Sequence, residues 1–406
     1  MKKIFLLLGV AVCMAARTSE VPLVYSVENT GADCPAPVLP TVDQLPSVPM
    51  LPDPFAWSDG SGRVEKFSEW ACRRAEIMAE LEHYELGKKP GKPANLTAAY
   101  TDGTLTVTMV KGADTLVVSS PVTMPAGEGP HPVIIGMSRP TGSLPAELFP
   151  DFIQIPFLHN QVSMHSKKDS TNSIYSMYPE LLSSGNYIAW CWGISRLIDG
   201  LELVQSQMGA DMGKIAISGC SYAGKMALFA GAFDERVALT IVQESGGGGV
   251  NAWRVSDTLG NVEKIANTSY DWFLPALRDN FNGRSDRLPH DHHELIALIA
   301  PRPVVILGNP DYEWMADESG YISSMAALQV WEAMGVADRF GFDFSPEHPH
   351  CRTTESQNAL ITAFVDKFFR GKSDVNTVIR YAPLFGEVDY HSWISAWEGH
   401  KLQMNK

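Results

Sequence analysis

The sequence predicts an α/β protein built on a mostly parallel sheet, and three observations carry that reading. From about residue 131 onward, short apolar runs alternate with helix-like stretches, the pattern of strands joined by crossover helices. One of those runs passes through a tight glycine-flanked turn directly into a helix. The 406 residues, 45% apolar and 19% charged, suffice for one large core, and no linker, internal repeat or low-complexity tract divides them. The expected organisation is an export signal over 1–16, a proline-rich arm over 17–56 and a single α/β domain over 57–406.

In chain order, residues 1–16 carry two lysines, an apolar run too short to span a bilayer and small residues at Ala15 and Ala16, the layout of a secretory signal peptide. Cys13 follows Val12, which is bulkier than the residue that usually precedes a lipid-attachment cysteine. Residues 31–56 are rich in proline and should run extended over the domain. A helix follows in KFSEWACRRAEIMAELEHYELG, stopping at Gly87. Residues 96–125 alternate and turn at DG and GAD, which predicts antiparallel strands near a sheet edge. The parallel strands are then read in HPVIIGMS, YIAWCW, KIAISGC, VALTIVQES and RPVVILGNPD. Helices are read in ISRLIDGLELVQSQM, KMALFAGAF and MAALQVWEAMG, and RFGFDFS is strand-like near the end.

A formal charge of −14 argues against nucleic acid or an anionic membrane surface as partner. No stretch beyond the leader is long and apolar enough for a transmembrane helix. Of six cysteines, removing Cys13 leaves five in an oxidising compartment, hence two bridges and one leftover. Cys191, inside an apolar run, reads as the buried free thiol. The pairs are then Cys34 with Cys72, stapling the N-terminal segment to the first helix, and Cys220 with Cys351.

KIAISGCSYAGKMALFAGAF is strand, turn and helix with Ser221 at the apex, the context in which a serine hydroxyl stands above a sheet beside free helix N–H groups. Its spacing, G-x-S-x-x-G, is one residue longer than the usual elbow, and a serine there can also merely cap the helix. A Cys220–Cys351 bridge would bring His350 beside Ser221 as general base. His348 is a rival. The histidines of DHH at 291–293 read as the start of a helix capped by Asp291 and not as metal ligands. For the acid that orients the base, Glu244 and Asp311 both end strands; the residues alone lean to Asp311.

GCSYAGK, QESGGGG followed by WRVSDTLG, LPHDHHELIALIAPR, DYEW and HPHC, with LPDPF, WACRR, YELG and AWCWGISRLIDGLE, together resemble, in this order, the glucuronoyl esterases of carbohydrate esterase family 15. The resemblance implies an α/β-hydrolase fold, a three-layer sandwich, and hydrolysis of uronic acid esters such as those joining glucuronoxylan to lignin alcohols. It implies Ser221 as nucleophile, His350 as base and Glu244 as acid, with Asp311 near an alternative acid position. It supports both disulfides. It places Lys225 on sugar hydroxyls, Trp314 against the substrate and Glu263 where a sugar-contacting glutamine is common. Neither a metal nor an organic cofactor is called for, and the partner is a uronic-acid-containing plant polysaccharide.

Two departures stand out. Ala252 and Ser323 occupy positions where the family has a further cystine. Tyr222 replaces an arginine held to stabilise the oxyanion; a neutral O–H for a permanent cation could cost about 3 kcal/mol at the transition state. Galacturonoyl esters are therefore a rival substrate. Acetyl esters and non-catalytic saccharide binding are more distant readings.

Overall fold

The computed structural model describes residues 21–404 apart from 167 and 169. The expected signal at 1–16, Cys13 and the first residues of the expected arm lie outside the described residues.

Two sheets are present among the described residues. β1 (Asn95–Thr101), β2 (Thr104–Lys111) and β3 (Asp114–Pro121) form an antiparallel meander turning at Asp102–Gly103 and Gly112, as the alternation predicts. The large sheet takes β4 (His131–Met137), β5 (Ile153–Phe157), β6 (Ala210–Cys220), β7 (Leu239–Gln243), β8 (Val304–Leu307), β9 (Phe340–Asp343) and β10 (Arg380–Tyr381). Its order is β10-β9-β8-β7-β6-β4-β5, and every pairing is parallel. β5 is a strand that the sequence reading did not single out.

Continuous apolar runs are what a sheet covered on both faces requires. Val133, Ile135, Ile215 and Ile217 enter one core cluster together with the Asn186–Met208, Tyr222–Phe233 and Asp317–Ala333 helices, while Ile134, Ala216, Ile241 and Val305 enter a second cluster under the Glu355–Phe368 helix. Alternate residues of one run thus feed opposite layers, giving a three-layer sandwich.

The expectation of a strand at YIAWCW is overturned. Residues 187–192 form the first turns of the 23-residue helix Asn186–Met208. The run is apolar all round because most of the helix is buried, and a short apolar stretch has no period that separates helix from strand. Two glycines let it sink into the fold. A Cβ at Gly193 would stand 2.7 Å from Val162, and one at Gly200 would stand 2.2 Å from Val107 on the meander. Cys191 is the buried free thiol on this helix.

The arm is largely extended with one short 3-10 turn, Val42–Gln44, and Cys34–Cys72 fastens it to the Trp70–Leu81 helix. That helix runs on through a π turn, Glu82–Leu86, and stops at Gly87 with φ 90.

Candidate active site

Ser221 sits at φ 60 and ψ −129 between β6 and the Tyr222–Phe233 helix, a backbone that few non-glycine residues adopt. Flanking glycines make the turn. A Cβ at Gly219 would lie 2.0 Å from the Ala223 carbonyl oxygen, and one at Gly224 would lie 2.4 Å from that of Gln243. The longer G-x-S-x-x-G spacing therefore places its second glycine where the helix crosses β7. The Ser221 N–H donates to the Gln243 carbonyl at 3.0 Å, and the Ser221 carbonyl accepts from Lys225 N–H at 3.0 Å, so the helix begins at the serine. The first N–H groups of a helix lack intrahelical acceptors and carry the positive end of its dipole, which suits such a terminus to a developing anion.

The Cys220–Cys351 disulfide, with Cα atoms 5.7 Å apart, joins the end of β6 to the loop after β9. An imidazole nitrogen of His350 lies within 4.8 Å of both sulfurs, which are committed to each other and offer no metal ligand. Ser221 and His350 line one pocket of about 480 Å³. Glu244, buried at the end of β7, has Oε2 2.5 Å from His350 Nδ1, while its Oε1 accepts the Cys351 N–H at 2.9 Å. The Tyr312 hydroxyl accepts the His350 N–H at 2.9 Å.

Asp311 goes elsewhere. Its Oδ2 accepts the Glu347 N–H at 2.6 Å and braces the loop that leads to His350. His348 is turned inward, Nε2 donating to the Ser345 carbonyl at 3.0 Å. At the DHH stretch, Asp291 caps the His292–Ala297 helix in a capping box with Glu294. The two histidines that follow are buried and hydrogen-bond to neighbouring segments, His292 to Gly249 and Glu85, His293 to Pro52.

On the other side of the pocket, Lys225 and Glu263 form a buried bidentate pair at 2.8 and 2.7 Å, and Thr268 Oγ1 donates to the same carboxylate at 2.8 Å. Lys225 Nζ lies 5.0 Å over the Trp272 ring. Glu263 is thus no solvated surface residue. Trp314, 43% exposed, stands at the rim. Tyr222 lines the pocket next to Ser221, its ring stacked on Trp272 at 6.2 Å.

The sequence reading missed Tyr312, Trp272, Thr268 and the Ser138–His159–His165 group behind Tyr222. Tyr312 lies inside the quoted DYEW, so a signal existed. His159 and His165 sit in a stretch with no local pattern; only the fold brings them to Tyr222.

The arrangement offers a hydroxyl at a strained turn, an imidazole held by a buried carboxylate, and a helix N-terminus directly after the serine: the parts of acyl transfer through a covalent serine intermediate.

Comparison with known proteins adds the following. Residues 107–335 match a family model described as glucuronyl esterase of fungi. A 4-O-methyl-glucuronoyl methylesterase of Phanerochaete carnosa is 35% identical over 411 residues, covering 96% of each chain. The Hypocrea jecorina glucuronoyl esterase catalytic domain superposes with TM-score 0.83 at 34% identity, over 90% of this chain and 100% of that one. A Sporotrichum thermophile glucuronoyl esterase mutant, solved in complex with methyl 4-O-methyl-beta-D-glucopyranuronate, has TM-score 0.81 at 31% identity, covering 89% of this chain and 97% of that one.

Proposed function

The chain belongs to the glucuronoyl esterase family of carboxylic ester hydrolases, and from that premise we propose that it cleaves esters formed by the carboxyl group of glucuronic acid and its 4-O-methyl ether, with Ser221, His350 and Glu244 as its working groups. The observation that supports this most is the 2.5 Å contact between His350 Nδ1 and a buried Glu244 in a pocket that Ser221 shares. A carboxylate there holds Nδ1–H, leaving Nε2 unprotonated and able to take the serine proton.

Ser221 Oγ attacks the ester carbonyl carbon as His350 takes its proton. The carbonyl oxygen becomes an oxyanion, stabilised by N–H groups at the start of the Tyr222–Phe233 helix. The intermediate collapses, the C–O bond to the alcohol breaks, and His350 gives the departing oxygen its proton. Water then attacks the uronoyl-serine ester as His350 takes its proton; the acyl–Oγ bond breaks, His350 returns that proton to Ser221 Oγ, and the uronic acid leaves and ionises to its carboxylate.

Lys225 and Glu263 supply donors and acceptors for ring hydroxyls, and Trp314 a face for the sugar ring. We further propose that the ester is carried on plant polysaccharide outside the cell. Two disulfides suit an oxidising compartment, and residues 1–16 would direct export.

The test is hydrolysis of methyl and benzyl glucuronate beside the matching galacturonates. Turnover of the glucuronates is expected, and Ser221→Ala should lower it by about 10⁶-fold. Wild-type rates in the alanine variant would defeat the mechanism. Turnover confined to galacturonates would defeat the substrate.

A further inference from the structure

Behind Tyr222 lies a group of neutral hydrogen-bonding side chains that the reaction described so far does not use. Ser138 follows β4 at φ 68, a conformation a non-glycine residue holds only where its surroundings impose it. Its Oγ is 3.1 Å from His159 Nδ1 and 3.5 Å from the Tyr222 hydroxyl. His159 is 5% exposed, and its Nε2 has no hydrogen-bond partner among the described residues. The Tyr222 ring is fixed from two sides, by His165 edge-on at 4.3 Å and by Trp272 stacked at 6.2 Å.

These contacts set a direction. Burial, helped by the neighbouring His165, pushes His159 down to about 4, so the ring is neutral and carries one proton. An orphaned buried N–H is rarer than an under-used acceptor, so that proton belongs on Nδ1, where Ser138 Oγ receives it. The Ser138 proton then has the Tyr222 oxygen as its acceptor, across a contact that is long at rest and can tighten when the site is loaded. The Tyr222 proton is left free, and Tyr222 shares a pocket with Ser221 and His350.

We propose that Tyr222 donates its hydroxyl proton to the oxyanion formed on Ser221, and that Ser138 and His159 are positioning residues that aim it through the chain His159 → Ser138 → Tyr222. The inference rests on the esterase reading and adds to it two residues and a polarity of hydrogen bonds. It also gives a physical reason why a neutral side chain can stand beside this nucleophile: a preorganised donor requires no reorganisation as charge develops.

The test is a double-mutant cycle on methyl glucuronate and, in parallel, on an activated aryl acetate, with kcat and KM measured separately. Tyr222→Phe should lower kcat on the order of 100-fold with little change in KM. Ser138→Gly, which removes the hydroxyl at a φ that glycine tolerates, should lower kcat by about tenfold, the worth of one hydrogen bond. The double variant should be no slower than Tyr222→Phe alone, because Ser138 acts through Tyr222. A Tyr222→Phe enzyme with wild-type kcat, or a double variant losing the product of both factors, would overturn the proposal. A wild type inert on the glucuronate but active on the aryl ester would defeat the substrate reading while leaving the cycle readable; inertness on both would defeat both.

Discussion

Glu244 holds a left-handed backbone, φ 44, at the point where β7 ends and its carboxylate meets His350. Such a conformation costs on the order of 1–3 kcal/mol and persists where the surroundings over-determine it; here the Glu244 N–H donates to the Leu307 carbonyl at 2.7 Å and Oε1 receives the Cys351 N–H. Glu244→Gln keeps the shape but offers the imidazole an amide, so kcat for a glucuronate ester should fall by about 10⁴-fold, whereas Asp311→Asn should stay close to wild type. Steady-state kinetics on the two variants decide between them, and the reverse ranking would restore Asp311 as the acid. Ser221 was legible because its turn, strand and helix are contiguous in sequence. The choice between Glu244 and Asp311 was not, because both end neighbouring strands and only the course of the loop carrying His350 separates them. Glu263 was equally ambiguous: its burial depends on Lys225, a partner 38 residues away.

At the scale of elements, the site is a join between the end of β6 and the loop after β9, and the Cys220–Cys351 bond closes a separation of 131 residues. A crosslink of that span is worth about 5 kcal/mol in the chain-entropy account. Cys220→Ala combined with Cys351→Ala should therefore lower the unfolding midpoint and also reduce kcat, since His350 and Ser221 lose their shared tether. Calorimetry and kinetics together check this, and unchanged values of both would show that the hydrogen bonds to Glu244, Tyr312 and Asp311 hold the loop without the disulfide. Cysteine counting gave two bridges, setting the buried Cys191 aside left four thiols with three possible pairings, and the family resemblance supported this one. The same apolar logic failed at residues 187–192, where local hydrophobicity is equally compatible with a buried strand and a buried helix. What settles it there is packing of Gly193 and Gly200 against Val162 and Val107, contacts made by other elements.

Across the whole molecule, a buried ionic cluster ties the Trp70–Leu81 region to the His292–Ala297 helix. Arg73 pairs with Glu294 at 3.1 Å, and Glu85 meets His290 at 3.0 Å and His292 at 2.8 Å. Burial alone would raise Glu85, but the two imidazoles outweigh it and bring the carboxyl down to about 2; burial would lower His292, yet Glu85 holds it above its ordinary value. A carboxyl depressed on folding adds stability above its unfolded value near 4.5 and loses it as pH falls through about 2. A histidine raised on folding adds stability at low pH and loses it as pH rises through its folded value. Glu85→Gln should thus cost on the order of 3 kcal/mol near neutral pH, and its gap from wild type should shrink from about pH 4.5 downward. Urea unfolding of both proteins at several pH values measures this, and a gap that stays constant would remove Glu85 from the account. By itself, the amino-acid order determined the α/β class, the serine elbow and the number of disulfides, because each is written in contiguous residues or in a count. Which acid faces His350, how Glu263 is buried and how Ser138, His159 and Tyr222 line up were decided only by tertiary structure, since those contacts join residues whose neighbourhood exists only once the sheet has brought their strands side by side.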